Sequence, residues 1–255
     1  MALTLTYDGI LARVRLAATG LASDPVTVQR STNQVRWVTV RGGASLSPSG
    51  GVIRLDDYEF ASDVANHYRL LAPGVVGAGQ ITPALDGVWL KSLARPFLNR
   101  KVTVKDYSGV ERPARVGVFE VVGRSMPVAI SDVRGSRRWT MEVLTHTPAE
   151  ARDLDLVMAS GDPIFVHVPA DCDVPGGYVS IDTVTVSRRA RRTPRRVFEL
   201  PCVEVAAPGP DIVGATVTVQ TVLATYATCA DVLAAHPTCQ DLLELIGDPT
   251  DVIVP

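Results

Sequence analysis

The sequence is short of the residues that announce chemistry. Its 255 residues include only four cysteines, Cys172, Cys202, Cys229 and Cys239. Their wide, irregular spacing fits neither a dense disulfide framework nor paired Cys-x2-Cys zinc ligation, so free thiols are expected. Four histidines, His67, His146, His167 and His236, form no i, i+4 pair and no His-Glu-x-x-His. No apolar run approaches the ~18 residues that a spanning helix needs. Met1 leads into Thr4, Thr6 and Asp8 without a basic and then apolar leader, so neither a membrane span nor a secretory signal is expected. Aromatic residues make up 5%, and a net charge of -2 gives no global reason for a nucleic-acid or anionic-membrane partner.

Against these absences stand a hydrophobic content of 46%, enough to build cores, and 20 glycines with 18 prolines, enough to break the chain into many short elements. Charge is distributed unevenly. Residues 201–255 contain no Lys or Arg but seven acids: Glu204, Asp211, Asp231, Asp241, Glu244, Asp248 and Asp251. Just before them, six arginines fall within nine residues: Arg188, Arg189, Arg191, Arg192, Arg195 and Arg196.

Alternation at period two dominates. Leu11–Leu16, Val26–Arg30, Val35–Arg41, Gly51–Asp56 and His67–Leu71 read as strands separated by Gly-Gly, Ser and Pro-Gly turns, with Trp37 as a buried anchor. An antiparallel β-sandwich of immunoglobulin or fibronectin type is expected over 1–74. A β-barrel-like assembly domain follows over 75–205, with strands at Lys101–Lys105, Ala114–Val122, Met126–Ile130, Trp139–Thr145, Pro163–Val168, Gly177–Val186 and Val197–Val205. One helix interrupts it near 148–160. Thr147 caps it, Pro148 suits its first turn, Glu150 completes a capping box and Gly161 ends it. The acidic extension, 206–255, opens on Ala206-Ala207-Pro208-Gly209-Pro210 and repeats Thr-Cys-x-Asp-Val/Leu-Leu, giving short helices near 225–235 and 238–246.

No arrangement advocates catalysis. Gly123-Arg124-Ser125 lacks the second glycine of a nucleophile elbow, and Gly42-Gly43 and Gly50-Gly51 lack the Lys-Ser/Thr of a phosphate loop. Asp56-Asp57-Tyr58-Glu59 is the densest acidic cluster, but it lacks calcium-loop spacing; solvated surface or a contact with the following domain is expected. No enzyme activity, cofactor or metal is therefore expected. The arginine tract, at the tip of a hairpin, is the strongest chemical feature. Six like charges repel unless something acidic is near, and the lysine-free extension supplies carboxylates. The expected subunit-interface residues are Arg188, Arg189, Arg191, Arg192, Arg195 and Arg196 with Asp231, Asp241 and Glu244. A phosphate backbone is the weaker alternative, for want of exposed aromatic residues to stack bases.

Several short stretches carry a resemblance: Val40-Arg41-Gly42-Gly43, Asp57-Tyr58-Glu59, Tyr68-Arg69, Trp89-Leu90-Lys91, Arg95-Pro96-Phe97-Leu98 and Gly123-Arg124-Ser125-Met126-Pro127-Val128. With the stretch from Trp139 to Gly161, Tyr178-Val179 and the two short terminal helices, they resemble minor tail proteins, of distal-tail or baseplate type, of long-tailed phages that infect actinobacteria. The resemblance implies a structural virion protein at the tail tip, assembled in the bacterial cytoplasm. Its partners would be copies of itself in a ring, the tail tube and the baseplate hub, with host-surface glycan reached only indirectly. The rival expectation is a carbohydrate-binding or adhesin β-sandwich module, which would want exposed Trp or Tyr platforms, whereas Trp37, Trp89 and Trp139 sit in apolar strand contexts.

Overall fold

A computed structural model describes residues 2–22, 24–120, 122–123, 125–188, 190–209, 226 and 228–235. The described chain is mainly β, and all of its strand pairs are antiparallel. Two small sheets come first. One orders β1 (Ala2–Asp8), β2 (Arg13–Thr19) and β5 (Val52–Asp57); the other orders β4 (Val38–Thr39), β3 (Thr27–Ser31), β6 (Asn66–Ala72) and β7 (Gly74–Ile81). They share one core. Alternate residues Val14, Leu16 and Ala18, Ile53 and Leu55, and Tyr68 and Leu70 turn inward, as a period of two requires. The sheets run past the expected boundary at residue 74, because β7 pairs along β6 from Gly74 to Ile81. The glycines of β7 also leave room: a Cβ on Gly79 would stand 3.0 Å from Leu5 Cδ1 of β1.

The strand expected over Val35–Arg41 contracts to Val38–Thr39, and Trp37 lies outside it, half-buried instead of in the core. Asn33 explains this. Its Oδ1 accepts the amides of Val35 and Arg36, both at 3.0 Å, which holds the segment in a loop. Trp37 packs instead beneath the Arg69 guanidinium, 4.1 Å from the ring centroid, and donates Nε1 to the Gln34 carbonyl. Trp89 and Trp139 are buried.

Gly43 closes the turn that follows β4. Its carbonyl accepts the Val28 amide at 2.7 Å, and an added Cβ would lie 2.9 Å from the Val40 carbonyl oxygen and 3.1 Å from both Leu55 Cδ2 and Val28 Cβ. Backbone on one side and core on the other leave no room to yield. Gly43→Ala is therefore expected to destabilise the protein by about 1–3 kcal/mol in denaturant unfolding.

The second part is a closed six-stranded barrel. It runs through β12 (Arg138–Thr145), β9 (Arg100–Tyr107), β8 (Val88–Ser92), β13 (Ile164–His167), β14 (Gly177–Ile181) and β16 (Arg196–Glu204), and β16 pairs back onto β12 from Arg138↔Val203 to Thr145↔Arg196. Closure removes the open edges that an isolated sheet would expose. The core holds Leu90, Met141, Val143, Ile164, Val166, Phe198 and Leu200. Helix α1 (Pro148–Ala159) buries Leu154 and Val157 against it. Thr147 Oγ1 accepts the Glu150 amide at 3.2 Å, and Glu150 Oε2 accepts the His146 amide at 2.8 Å. β15 (Thr185–Arg188) pairs with the first half of β16 alone, and β10 (Val116–Phe119) with β11 (Val128–Ser131) forms a separate two-stranded ribbon. A short helix, α2 (Cys229–Ala235), occupies part of the segment expected near 225–235. The helix expected near 238–246 lies outside the described residues.

Candidate functional site: a buried ionic junction and an arginine hairpin

The acidic stretch that ends β5 sits where the two parts meet, and its residues face different partners. Asp56 Oδ2 accepts Nη1 of the fully buried Arg13 at 2.7 Å, and Arg13 Nε reaches Asp8 Oδ2 at 3.1 Å. Asp57 accepts Arg30 Nη1 at 2.7 Å through Oδ1 and the buried Tyr68 hydroxyl at 2.8 Å through Oδ2. Glu59 accepts Arg41 Nη2 at 2.9 Å and the Tyr178 hydroxyl, from the barrel, at 2.8 Å. Arg41 in turn donates to the carbonyls of Pro208 and Gly209, so the segment leaving the barrel returns to the first sheets. Of the expectations for this stretch, contact with the following part describes it.

Lys91 crosses the junction in the other direction. It lies on β8 and is fully buried, and its Nζ donates to the carbonyls of Ala12 at 2.6 Å and Tyr58 at 2.7 Å. The third donor meets His167 Nδ1 at 2.8 Å, which places the ring proton of a neutral His167 on Nε2. Ala12 holds a left-handed backbone, φ 47°, with its carbonyl on the ammonium. Phe60 closes the pocket, 5.0 Å from Nζ and edge-on to His167 at 4.7 Å.

Burial dominates the electrostatics. It pushes Lys91 down to about 7, although the Asp57 and Glu59 charges oppose the shift. It also pushes His167 down to about 2, helped by the Lys91 charge. Arg30 is held above its ordinary range: burial is the largest influence and works against its charge, but Asp57, Tyr68 and Glu59 together outweigh it. The Tyr68 and Tyr178 hydroxyls are raised, first by burial and then by Asp57 and Glu59 respectively. Burial alone pushes the free Cys202 thiol up to about 12. Lys91 has neither a spare donor nor access to solvent, and its contacts tie β8 to the Ala12 and Tyr58 carbonyls of the first part. Among the described residues no group of His, Cys, Asp or Glu could hold a metal ion.

The arginine tract forms the turn between β15 and β16, with Arg188 directly opposite Arg196. Arg196 Nη1 donates to the carbonyls of Thr193, Pro194 and Arg195 at 3.1, 3.1 and 3.0 Å, closing its own turn. Arg188, Arg191, Arg192 and Arg195 are exposed, and among the described residues none of these four meets a carboxylate. Arg189, Asp241 and Glu244 lie outside the described residues. Asp231 is at the start of α2, where its Oδ2 accepts the Thr228 amide at 3.0 Å and hydroxyl at 2.8 Å; its described partner is this cap and not the arginine hairpin.

Nothing in the sequence assigned Lys91, His167, Arg13 or Arg30 a role at this junction. A signal for Asp57 was present: it stands two and four residues after Leu55 and Ile53, so strict alternation carries its carboxylate inward. No protein-family model matches the chain, and no curated protein matches it in sequence.

Proposed function

We propose that this chain is a structural virion protein of a phage tail tip, part of a distal-tail ring or baseplate that joins the tail tube to host-recognition components. In this reading the first two sheets are an immunoglobulin- or fibronectin-like sandwich, the barrel is the assembly domain, and the chain has no catalytic role. Copies of itself and other tail proteins are its partners, and it is assembled in the bacterial cytoplasm. The observation that carries the reading is the junction: the buried Lys91 and the Glu59–Tyr178 contact join two β modules, and Arg188, Arg191, Arg192 and Arg195 are exposed together on one hairpin turn. Such an arrangement suits a part that transmits position. The motifs from Val40-Arg41-Gly42-Gly43 to Gly123-Arg124-Ser125 support the tail-tip assignment by resemblance.

Arginine's planar fork binds carboxylates through two hydrogen bonds, so the hairpin is suited to an acidic neighbour, including the lysine-free extension of another copy. Replacing Arg188, Arg191, Arg192 and Arg195 together by serine spares Arg196, which closes the turn. Each exposed pair is worth about 0–1 kcal/mol, so the variant should fold normally but associate roughly tenfold to hundredfold more weakly. Unchanged particle yield and ring formation across salt concentrations would remove the hairpin from assembly. Salt-sensitive retention of DNA by the unaltered chain would assign it to a phosphate backbone instead.

One observation favours the second reading, a carbohydrate-binding or adhesin module. Trp37 is only half-buried and carries Arg69 on its ring, whose Nε and Nη2 hold Gln29 Oε1 at 2.9 and 2.6 Å. Glycan-array binding that disappears in Trp37→Ala would favour it.

A further inference from the structure

Strand β8 serves two cores at once. Leu90 belongs to the barrel core, whereas Trp89, one residue earlier, belongs to the core of the first sheets. Lys91 shares the side of Trp89. Pairing with β13 and β14 adds Phe165 opposite Lys91, His167 opposite Trp89 and Tyr178 opposite Phe165. This outer wall of the barrel is an aromatic patch with Lys91 set among its rings: Phe165 lies 5.0 Å from His167 and 4.9 Å from Tyr178. The first part covers it with Phe60, Leu85 and the carbonyls of Ala12 and Tyr58.

The closed face tolerates one charge. Lys91 Nζ and His167 Nδ1 stand 2.8 Å apart, a contact in which the ring nitrogen must accept. A proton on that nitrogen makes it a second donor and sets two cations against each other, both buried and too close for water between them. The neighbouring charges do not reverse this. Among the described residues no carboxylate bonds either group. Asp57 and Glu59 favour the Lys91 ammonium, but Arg30 disfavours the charge on both Lys91 and His167. Asp57 is taken by Arg30 and Tyr68, and Glu59 by Arg41 and Tyr178. Tyr7, edge-on to Phe60 at 5.5 Å, has its hydroxyl raised, first by burial and then by the Asp86, Asp8 and Asp63 charges. The Phe60 carbonyl favours a charged ring, and burial outweighs it.

We infer that the Lys91–His167 pair is a proton-operated latch: acid releases the barrel from the first sheets while each keeps its own fold. Opening puts the ring in water, where it takes up a proton near its ordinary value of about 6.5, whereas the closed junction keeps it neutral far below that. The opened form therefore gains roughly tenfold over the closed form for each pH unit below about 6.5. The two parts can separate without unfolding because their cores are distinct and the barrel closes on itself through β12 and β16. Release also frees Ala12 from the left-handed backbone, φ 47°, that the closed junction imposes while its carbonyl holds the ammonium. The opened form bares Trp89, Phe60 and Phe165, an aromatic face that the closed form hides.

Urea titrations of the full chain at pH 7.5 and pH 5 test the latch, with small-angle X-ray scattering reading size and far-ultraviolet circular dichroism reading strand content. Ordinary carboxylates keep their charge at both pH values. Separation appears as a growth in radius of gyration that precedes the loss of strand signal. Extrapolated to water, the ratio of separated to closed chain should be roughly thirtyfold higher at pH 5 than at pH 7.5, or more. His167→Gln cannot take up the proton and should lose most of that difference. Tyr178→Phe removes another bond across the junction, so it should separate more readily at both pH values with the thirtyfold ratio intact. If His167→Gln does not fold, the unaltered chain and Tyr178→Phe decide the matter. Size and strand signal that change together at both pH values, a separated fraction that ignores pH, or an undiminished pH dependence in folded His167→Gln would overturn the latch.

Discussion

Asp57→Ala is expected to destabilise the protein by about 3–5 kcal/mol, the cost of breaking a buried ion pair by removing one partner. The carboxylate serves two groups at once: Arg30, with Nη1 at 2.7 and 2.5 Å from its two oxygens, and the Tyr68 hydroxyl at 2.8 Å. Alanine leaves a guanidinium and a phenol desolvated without their acceptor, and Tyr68 belongs to the first core. Asp57→Asn keeps the shape and one acceptor oxygen, so it should fall between the two. Guanidinium unfolding followed by tryptophan fluorescence and by circular dichroism reads the loss. A change below about 1 kcal/mol would show that the trio lies outside the cooperative structure.

The second large effect is a pH dependence. His167 is buried and held neutral, its pKa pushed down to about 2 against an ordinary value near 6.5, first by burial and then by the Lys91 charge. Because the unfolded chain takes up the proton first, the unfolded state gains as pH falls. The His167 contribution is full above about pH 6.5 and is lost progressively towards the folded value. The slope is about 1.4 kcal/mol per pH unit, so falling from pH 7 to pH 5 should cost about 2 kcal/mol. Lys91 acts with the same sign in a higher window: its depressed pKa of about 7 makes stability rise as pH climbs from there towards its ordinary range. His167→Gln retains an oxygen for the Lys91 ammonium but does not titrate. It should remove most of the loss between pH 7 and pH 5, measured as the difference between the two proteins in denaturant unfolding. Parallel pH profiles would contradict a neutral His167 in this pocket.

Much of the architecture was legible because alternation is a local signal. Trp139, Met141 and Val143 share a face in the sequence and are all buried in β12. The capping box at Thr147 and Glu150 located α1. Other elements lacked such signals. β1 mixes leucine and threonine near the start of the chain, and β7, Gly74–Ile81, looks like turn material until Leu5 of β1 is seen to need the space above Gly79. Trp37 misled because an aromatic residue in an alternating stretch reads as core, whereas Asn33 two residues upstream of Val35 diverts the backbone into a loop.

The junction was harder to read, for a physical reason. Its partners are distant in sequence: Lys91 meets Ala12, Tyr58 and His167. A lone lysine within the apolar run Val88-Trp89-Leu90 is consistent with a solvated edge until the closed barrel and the adjoining sheets cover both sides of β8. The arginine tract showed the opposite behaviour. Its composition was plain from the sequence, and so was its hairpin location, but composition does not name the neighbour that balances six positive charges.

Imaging of intact particles encoded by the same genome, with gold-labelled antibody to this chain followed by cryo-electron microscopy of the labelled end, tests the tail-tip assignment most directly. The account predicts label confined to the distal end of the tail, with density there that accommodates several copies of the barrel and its adjoining sheets around the tail axis. Particles that carry no label, or carry it only on the capsid, would contradict it.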